Sequence, residues 1–191
     1  MQKGLEALIF DVDGTLADTE RDGHRLAFNA AFAEAGLDWD WTVELYGKLL
    51  AVTGGKERMR HYLNQYRPDF ELDKQAYPDL DRLIARLHQR KTERYVALLG
   101  EGGIPLRSGV LRLLREARDA GVRLAIATTT TPENVTALLD SAPEPGLVNW
   151  FEVVAAGDVV REKKPAPDIF ELALAQLNLP ASACVAIEDS E

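Results

Sequence analysis

Asp11 and Asp13, in DVDGT at residues 11–15, place two carboxylates one residue apart at the end of the apolar run LEALIF. Near the other end of the sequence, Glu188 and Asp189 close the run CVAIEDS in a similar way. Burying an unpaired carboxylate is expensive, so such groups normally sit against something positive. A hard divalent cation with an oxygen shell is the natural neutraliser, and Mg²⁺ typically takes one or two protein carboxylates together with water and phosphate oxygens. Helix capping is the plainer account of an aspartate at a loop start. It explains one such motif, but a matching acid pair on a second strand favours the cation. Neighbouring carboxylates also permit divided labour. One stays ionised as a nucleophile, and the other, its proton affinity raised, serves as acid and base.

For a phosphoryl group the remaining work is charge neutralisation by cations and fixed donors. Lys164 in EKKPAPD is the candidate cation, and spacing does not distinguish it from Lys163 beside it. Thr128, Thr129 and Thr130 put three hydroxyls at a strand exit, where β-branched filling is the plainer account. TGGKERM, residues 53–59, sets Gly54 and Gly55 before a helix carrying Lys56 and Arg58. Amides at a helix start plus two cations form an anion site, against the alternative of a glycine turn with solvated charges. Glu20 and His24 lie four apart and so share a helix face. Glu20 is placed to meet substrate hydroxyls, whereas a lone exposed histidine is usually inert. Lys91, in RKTERY, is a further candidate cation, with a solvated surface lysine as its plainer account.

These residues need elements to position them. LEALIF reads as a strand ending at Asp11, followed by a largely helical stretch from about Thr19 to Gly100. Gly36 stops its first helix, and Gly54-Gly55, Arg67-Pro68-Asp69 and Pro78 divide the rest. After EGGIPLR, Ser108 is expected to cap a helix with Val110, Leu111, Leu114 and Ala117 on one face, ended by Gly121. VRLAIATTT reads as a buried strand and Thr131-Pro132-Glu133 as a helix start. FEVVAAGD, PAPDIFELALAQLNL and CVAIEDS read as strand, helix and strand. The alternation predicts an α/β fold with a Rossmann-like three-layer parallel sheet, core at 1–16 plus 101–191, interrupted by an inserted all-helical cap at 17–100. Ligands of open α/β sheets bind at the carboxyl ends of the strands. A parallel sheet would therefore gather DVD, TTT and EDS at one edge.

The 191 residues carry 22 basic and 31 acidic side chains, a net charge of -9. Such a surface repels nucleic acid and anionic membrane. No apolar run approaches the ~20 residues of a membrane span, and DVDGT follows the first residues too soon for a signal or transit peptide. The single cysteine, Cys184, has no internal disulfide partner and fits a reducing compartment. A monomeric cytoplasmic protein with a small-molecule substrate is expected.

DVDGT, the TTT strand end, KKPAPD and EDS, in this order, resemble the four motifs of the haloacid dehalogenase-like phosphohydrolases. The insert is similar to the helical cap of the β-phosphoglucomutase and phosphoglycolate phosphatase branch, and the resemblance covers essentially the whole sequence. It implies Mg²⁺ as cofactor, Asp11 as a nucleophile forming an aspartyl-phosphate, and Asp13 as general acid/base that also offers its backbone carbonyl to the metal. Thr128 and Lys164 would hold the transferring phosphoryl, and Asp189 with Glu188 would complete the metal site. DTERDGHRLAFN, TGGKER, the threonines with Pro132 and Asn134, and EKKPAPD resemble the CbbY-type phosphatases more closely than the mutases. Members of that group dephosphorylate xylulose-1,5-bisphosphate. The resemblance implies a sugar bisphosphate with one phosphate in the core and one under the cap, touched by Glu20, Gly54, Gly55, Lys56, Arg58, Lys91, Thr129, Thr130 and Asn134. A phosphomutase shares every core residue, and a phospho-accepting regulatory domain or an inactive fragment is a more distant alternative. The family continues past EDS with a further strand and helix, so the resemblance implies a sheet lacking its C-terminal edge strand and a loosened Asp189.

Overall fold

In the computed structural model, which describes residues 4–101 and 104–189, four strands form one parallel sheet: β1 (Ala7–Phe10), β2 (Arg123–Thr128), β3 (Phe151–Ala156) and β4 (Cys184–Ile187). Their order is β3-β2-β1-β4, with β1 between β2 and β4. Ser190 of the EDS cluster lies outside the described residues. β1 and β2 are almost wholly buried, as expected of strands covered on both faces.

Alternate residues of the strands feed two apolar layers, as a period of two requires. Leu8, Phe10, Leu124 and Ile126 pack with Leu114 and Ala117 of α5 (Val110–Asp119) and with Val135, Leu138 and Leu139 of α6 (Pro132–Ser141). Ala7, Ile9, Ala125, Ala127, Val153 and Ala155 face Ile169, Ala173 and Leu177 of α7 (Asp168–Leu177). Helices on both faces of a parallel sheet make the three-layer α/β fold.

Between β1 and β2 run α1 (Arg25–Glu34), α2 (Val43–Leu49), α3 (Gly55–Tyr66) and α4 (Leu80–Gly100), with a π-helical turn Glu20–His24 leading into α1. Thr42 and Asp79 accept hydrogen bonds from the amides of Leu45 and Arg82 at the starts of α2 and α4. Gly36 follows α1 at φ +71°, the left-handed conformation that ends a helix. These helices enclose an aromatic cluster of their own, including Phe28, Phe32, Trp39, Trp41, Tyr46 and Tyr62. Tyr95 and Leu99 of α4 join the sheet-side cluster instead, so that helix is shared between the two layers.

Two local expectations are corrected. Ser108 does not cap α5: Gly109 occupies the cap position at φ +88°, with no side-chain hydrogen bond. β2 ends at Thr128, and Thr129 and Thr130 turn out of the strand into the loop before α6, where Thr131 accepts a hydrogen bond from the Asn134 amide. No helix among the described residues is long and apolar enough to cross a membrane.

Candidate active site

Register brings the acid pairs together. Phe10 lies opposite both Ile126 of β2 and Ile187 of β4, so the next residues, Asp11 and Glu188, leave the sheet side by side. The Asp11 amide completes the ladder by donating to the Ile187 carbonyl at 3.0 Å. Carboxylate oxygens of Asp11, Glu188 and Asp189 lie within 4.8 Å of one another. Lys164 Nζ donates to Asp11 Oδ1 at 2.8 Å and to Glu188 Oε2 at 2.6 Å. Geometry thus decides what spacing left open, because Lys163 turns instead to Glu57 and Asp158.

Among the described residues, Lys164 is the ammonium bonded to these carboxylates, and it bridges Asp11 and Glu188. Burial, reinforced by Glu188 and Asp13 and opposed by Lys164, pushes the Asp11 carboxyl up to about 6. A compact, all-oxygen donor set short of positive charge fits a hard divalent cation such as Mg²⁺. Asp11, Glu188 and Asp189 are the side chains that would hold it.

The Asp13 carboxylate has partners of its own. Its Oδ1 accepts from the Thr19 hydroxyl at 2.5 Å and pairs with His24 Nε2 at 2.7 Å. On the far side of the ring, Lys91 Nζ lies 2.7 Å from His24 Nδ1. An ammonium only donates, so Nδ1 accepts and Nε2 carries the proton given to Asp13. Tyr95 stacks on the imidazole at 4.1 Å between centroids. Burial alone would raise the Asp13 carboxyl, but His24, Thr19 and Lys91 outweigh it and hold it far below the ordinary carboxylate range. Burial lowers Lys91 to about 8.

His24 and Lys91 are therefore neither exposed nor solvated, at 4% and 5% exposure, which corrects the plainer accounts of both. His24 was discoverable from its four-residue spacing to Glu20, but nothing local marked it as buried. Thr19 and Tyr46 carried no signal. Tyr46 donates to Glu20 Oε2 at 2.5 Å and accepts from Arg58 Nη1 at 2.9 Å, so one phenol orients two candidate ligands. Arg58 also donates to the Leu49 and Val52 carbonyls.

A cavity of about 180 Å³ opens over the carboxylates, lined among others by Asp11, Asp13, Glu20, Gly54, Arg58, Thr128, Thr129 and Lys164. A smaller one of about 50 Å³ shares Asp13, Glu20, Gly54, Arg58 and Thr129 and adds Gly55, His88, Lys91, Thr130 and Asn134. Asn134 Nδ2 donates to Thr130 Oγ1 at 2.9 Å, while its Oδ1 is buried without a partner. An orphaned acceptor facing a polar cavity is suited to a ligand hydroxyl. Gly55 is dictated by close approach: a Cβ there would meet the His88 ring at 2.9 Å and Phe28 at 3.1 Å. Lys56 lines neither cavity, its ammonium lying 2.7 Å from Asp158.

The family model for haloacid dehalogenase-like hydrolases matches residues 5–191. Protein CbbY of Cereibacter sphaeroides is 50% identical over 186 residues, covering 97% of this chain and 76% of that protein. The crystal structure of CbbY from Rhodobacter sphaeroides in complex with phosphate superposes with a TM-score of 0.84 at 49% identity, covering 95% of this chain and 76% of that one. A mutant of the same protein, solved with xylulose-(1,5)bisphosphate, matches equally, with a TM-score of 0.84 at 49% identity over the same shares of the two chains.

Proposed function

The chain belongs to the haloacid dehalogenase-like hydrolase family and is a phosphatase; we propose that its substrate is a sugar bisphosphate such as xylulose-1,5-bisphosphate, cleaved through an aspartyl-phosphate on Asp11. The observation that carries the reading is the pairing of two adjoining cavities that share Arg58, the larger adding Lys164 and the smaller Lys91. Lys164 serves the carboxylate end and Lys91 the cap end, with Arg58 between them. A substrate with one phosphate needs only the first. The ligand bound by the related CbbY structure is of this class.

In the first step an Asp11 carboxylate oxygen attacks phosphorus and the bond from phosphorus to the sugar oxygen breaks. Asp13 passes to the departing oxygen a proton drawn from His24 Nε2 as His24 Nδ1 takes one from the Lys91 ammonium, so Asp13 is again a carboxylate when water arrives, and the proton it then accepts returns to Lys91 by the same route. Water then attacks the aspartyl-phosphate, Asp13 accepts its proton, and Asp11 returns as a free carboxylate with release of inorganic phosphate. Thr128, with Thr129 behind it, and Lys164 hold the phosphoryl oxygens. When bound, Mg²⁺ would supply further charge neutralisation at those oxygens. Glu20, Thr130 and Asn134 meet the sugar hydroxyls, with Arg58 and Lys91 on the distal phosphate.

Phosphate release from a panel of sugar mono- and bisphosphates with Mg²⁺ tests this. Wild type should prefer bisphosphates, and Asp11→Asn should lose at least about 10³-fold in rate, the scale of removing a nucleophile. Comparable turnover by the variant would reject the covalent route. Formation of an isomeric monophosphate without free phosphate would identify a mutase.

A further inference from the structure

The helical cap and the sheet meet at a group of four charges that the proposed chemistry does not use. Lys56 Nζ lies 2.7 Å from Asp158 Oδ2. The other carboxylate oxygen of Asp158 lies 2.8 Å from Lys163 Nζ, which is 3.0 Å from Glu57 Oε2. Lys56 and Glu57 are neighbours in the first turn of α3, so the chain itself closes the ring. Each layer contributes one cation and one anion, in opposite order, and the group is neutral. Asp158 follows Gly157 in the loop leaving β3, and Lys163 directly precedes Lys164.

Two further observations mark this as a fitted contact. Gly54 sits at φ +93°, a conformation that favours glycine, and a Cβ there would meet the ring's own side-chain ends, Glu57 Oε2 at 2.3 Å and Lys163 Nζ at 2.8 Å. Hydrogen bonds from Lys163 and Lys56 hold the Asp158 carboxyl down to about 2, so it stays ionised throughout the neutral range. The cap residues flanking the ring, Gly54 and Arg58, line the cavity over Asp11.

We propose that Lys56, Glu57, Asp158 and Lys163 form a clasp that holds the cap loop 53–58 against the sheet, and that Lys56 is a positioning residue rather than a direct ligand of the substrate. The clasp fixes Gly54 and Arg58 relative to Lys164, because Glu57 adjoins Arg58, Lys56 is two positions after Gly54, and Lys163 adjoins Lys164. Because Lys56, Glu57 and Asp158 are partly exposed, salt screens the clasp, and opening it is inexpensive. That suits a joint that must release product after each turnover.

Amide hydrogen exchange on wild type, Lys56→Met, Asp158→Asn and the double variant tests it without requiring turnover. Asp158→Asn, a change in the sheet layer, should speed exchange of amides 54–58 in the cap roughly threefold or more, the scale of a lost partly exposed ion pair. Lys56→Met should do the same for residues 157–164, and the double variant should exchange no faster than Asp158→Asn alone. Raising salt to about 0.5 M should move wild type towards the variants. Unchanged exchange at 54–58 in Asp158→Asn would overturn the clasp. Steady-state kinetics add an independent measurement: the clasp predicts that both single variants raise KM for mono- and bisphosphates by the same factor. If Asp158→Asn instead lowers KM for bisphosphates while Lys56→Met raises it, Lys56 is a substrate ligand and the clasp is rejected. The exchange result stands whichever phosphate ester proves to be the substrate.

Discussion

At the residue scale the site is governed by how few cations face how many carboxylates. Asp11 is buried, bonded to a single ammonium and crowded by Glu188, and its carboxyl rises from 3.8 to about 6. A carboxyl whose folded pKa is raised contributes stability that is complete below the unfolded value and lost as pH rises through the folded one. For Asp11 that window runs from about 4 to about 6, and two pKa units correspond to roughly 3 kcal/mol at most. Asp11→Asn removes this titration. In metal-free buffer its unfolding free energy relative to wild type should therefore be higher at pH 7 than at pH 4, by up to about 3 kcal/mol. Urea unfolding at the two pH values checks it, and a difference that is flat with pH would mean that Asp11 carries no uncompensated charge. Asp13 behaves oppositely because His24 and Thr19 donate to it and the Lys91 ammonium lies behind His24. Two aspartates one residue apart thus acquire opposite proton affinities, in the reverse sense to the expected division of labour: Asp11 is raised and Asp13 lowered when no metal is bound.

At the element scale, strand ends and turns place those groups. The loop after β1 doubles back, with the Gly14 amide donating to the Ala17 carbonyl at 2.8 Å. Gly14 sits at φ +83°, and a Cβ there would fall 2.1 Å from Asp189 Oδ2. Gly14→Ala is strained by its backbone and collides with the outermost carboxylate of the cluster. We expect it to weaken Mg²⁺ binding at least about tenfold, the upper end of what misplaced support around a metal commonly costs being about 100-fold. Isothermal titration with Mg²⁺ measures this, with circular dichroism as the check on folding. Native-like Mg²⁺ affinity in Gly14→Ala would exclude Asp189 from the metal site. β4 forms one edge of the described sheet, and Val185 on it is half exposed.

At the scale of the whole molecule, three apolar clusters carry the fold, one on each face of the sheet and one in the cap. Phe32 is fully buried in the cap cluster, its ring 5.2 Å from Trp39 and 5.0 Å from Trp41. Phe32→Ala should cost about 3–5 kcal/mol through the cavity it leaves. Tryptophan fluorescence during urea unfolding is the direct readout, since Trp39 and Trp41 both lie in that cluster. A transition no earlier than wild type would mean that the cluster adds nothing to cap stability. His24, Lys91 and Tyr95 connect the cap to Asp13, so loosening the cap should disturb the acid/base partner before the sheet itself unfolds.

Much of this was legible in the sequence, and for local reasons. Alternation of apolar residues, glycine stops at Gly36 and Gly121, and Pro132 at a helix start are written in short stretches, and so are the acid pairs at two strand ends. Ser108 shows the limit of such reading, since Gly109 offered a backbone conformation that took the cap position from it. What no stretch contains is distance across the chain. Register set Asp11 beside Glu188, the turn after β3 chose Lys164 over Lys163, packing buried His24 and Lys91 against Asp13, and the meeting of cap and sheet drew Lys56 to Asp158. Residue type fixed which chemistry was available, because charge and hydrogen-bonding capacity belong to the side chain. Tertiary structure decided which groups act together, because electrostatic coupling falls with separation and strengthens when water is excluded.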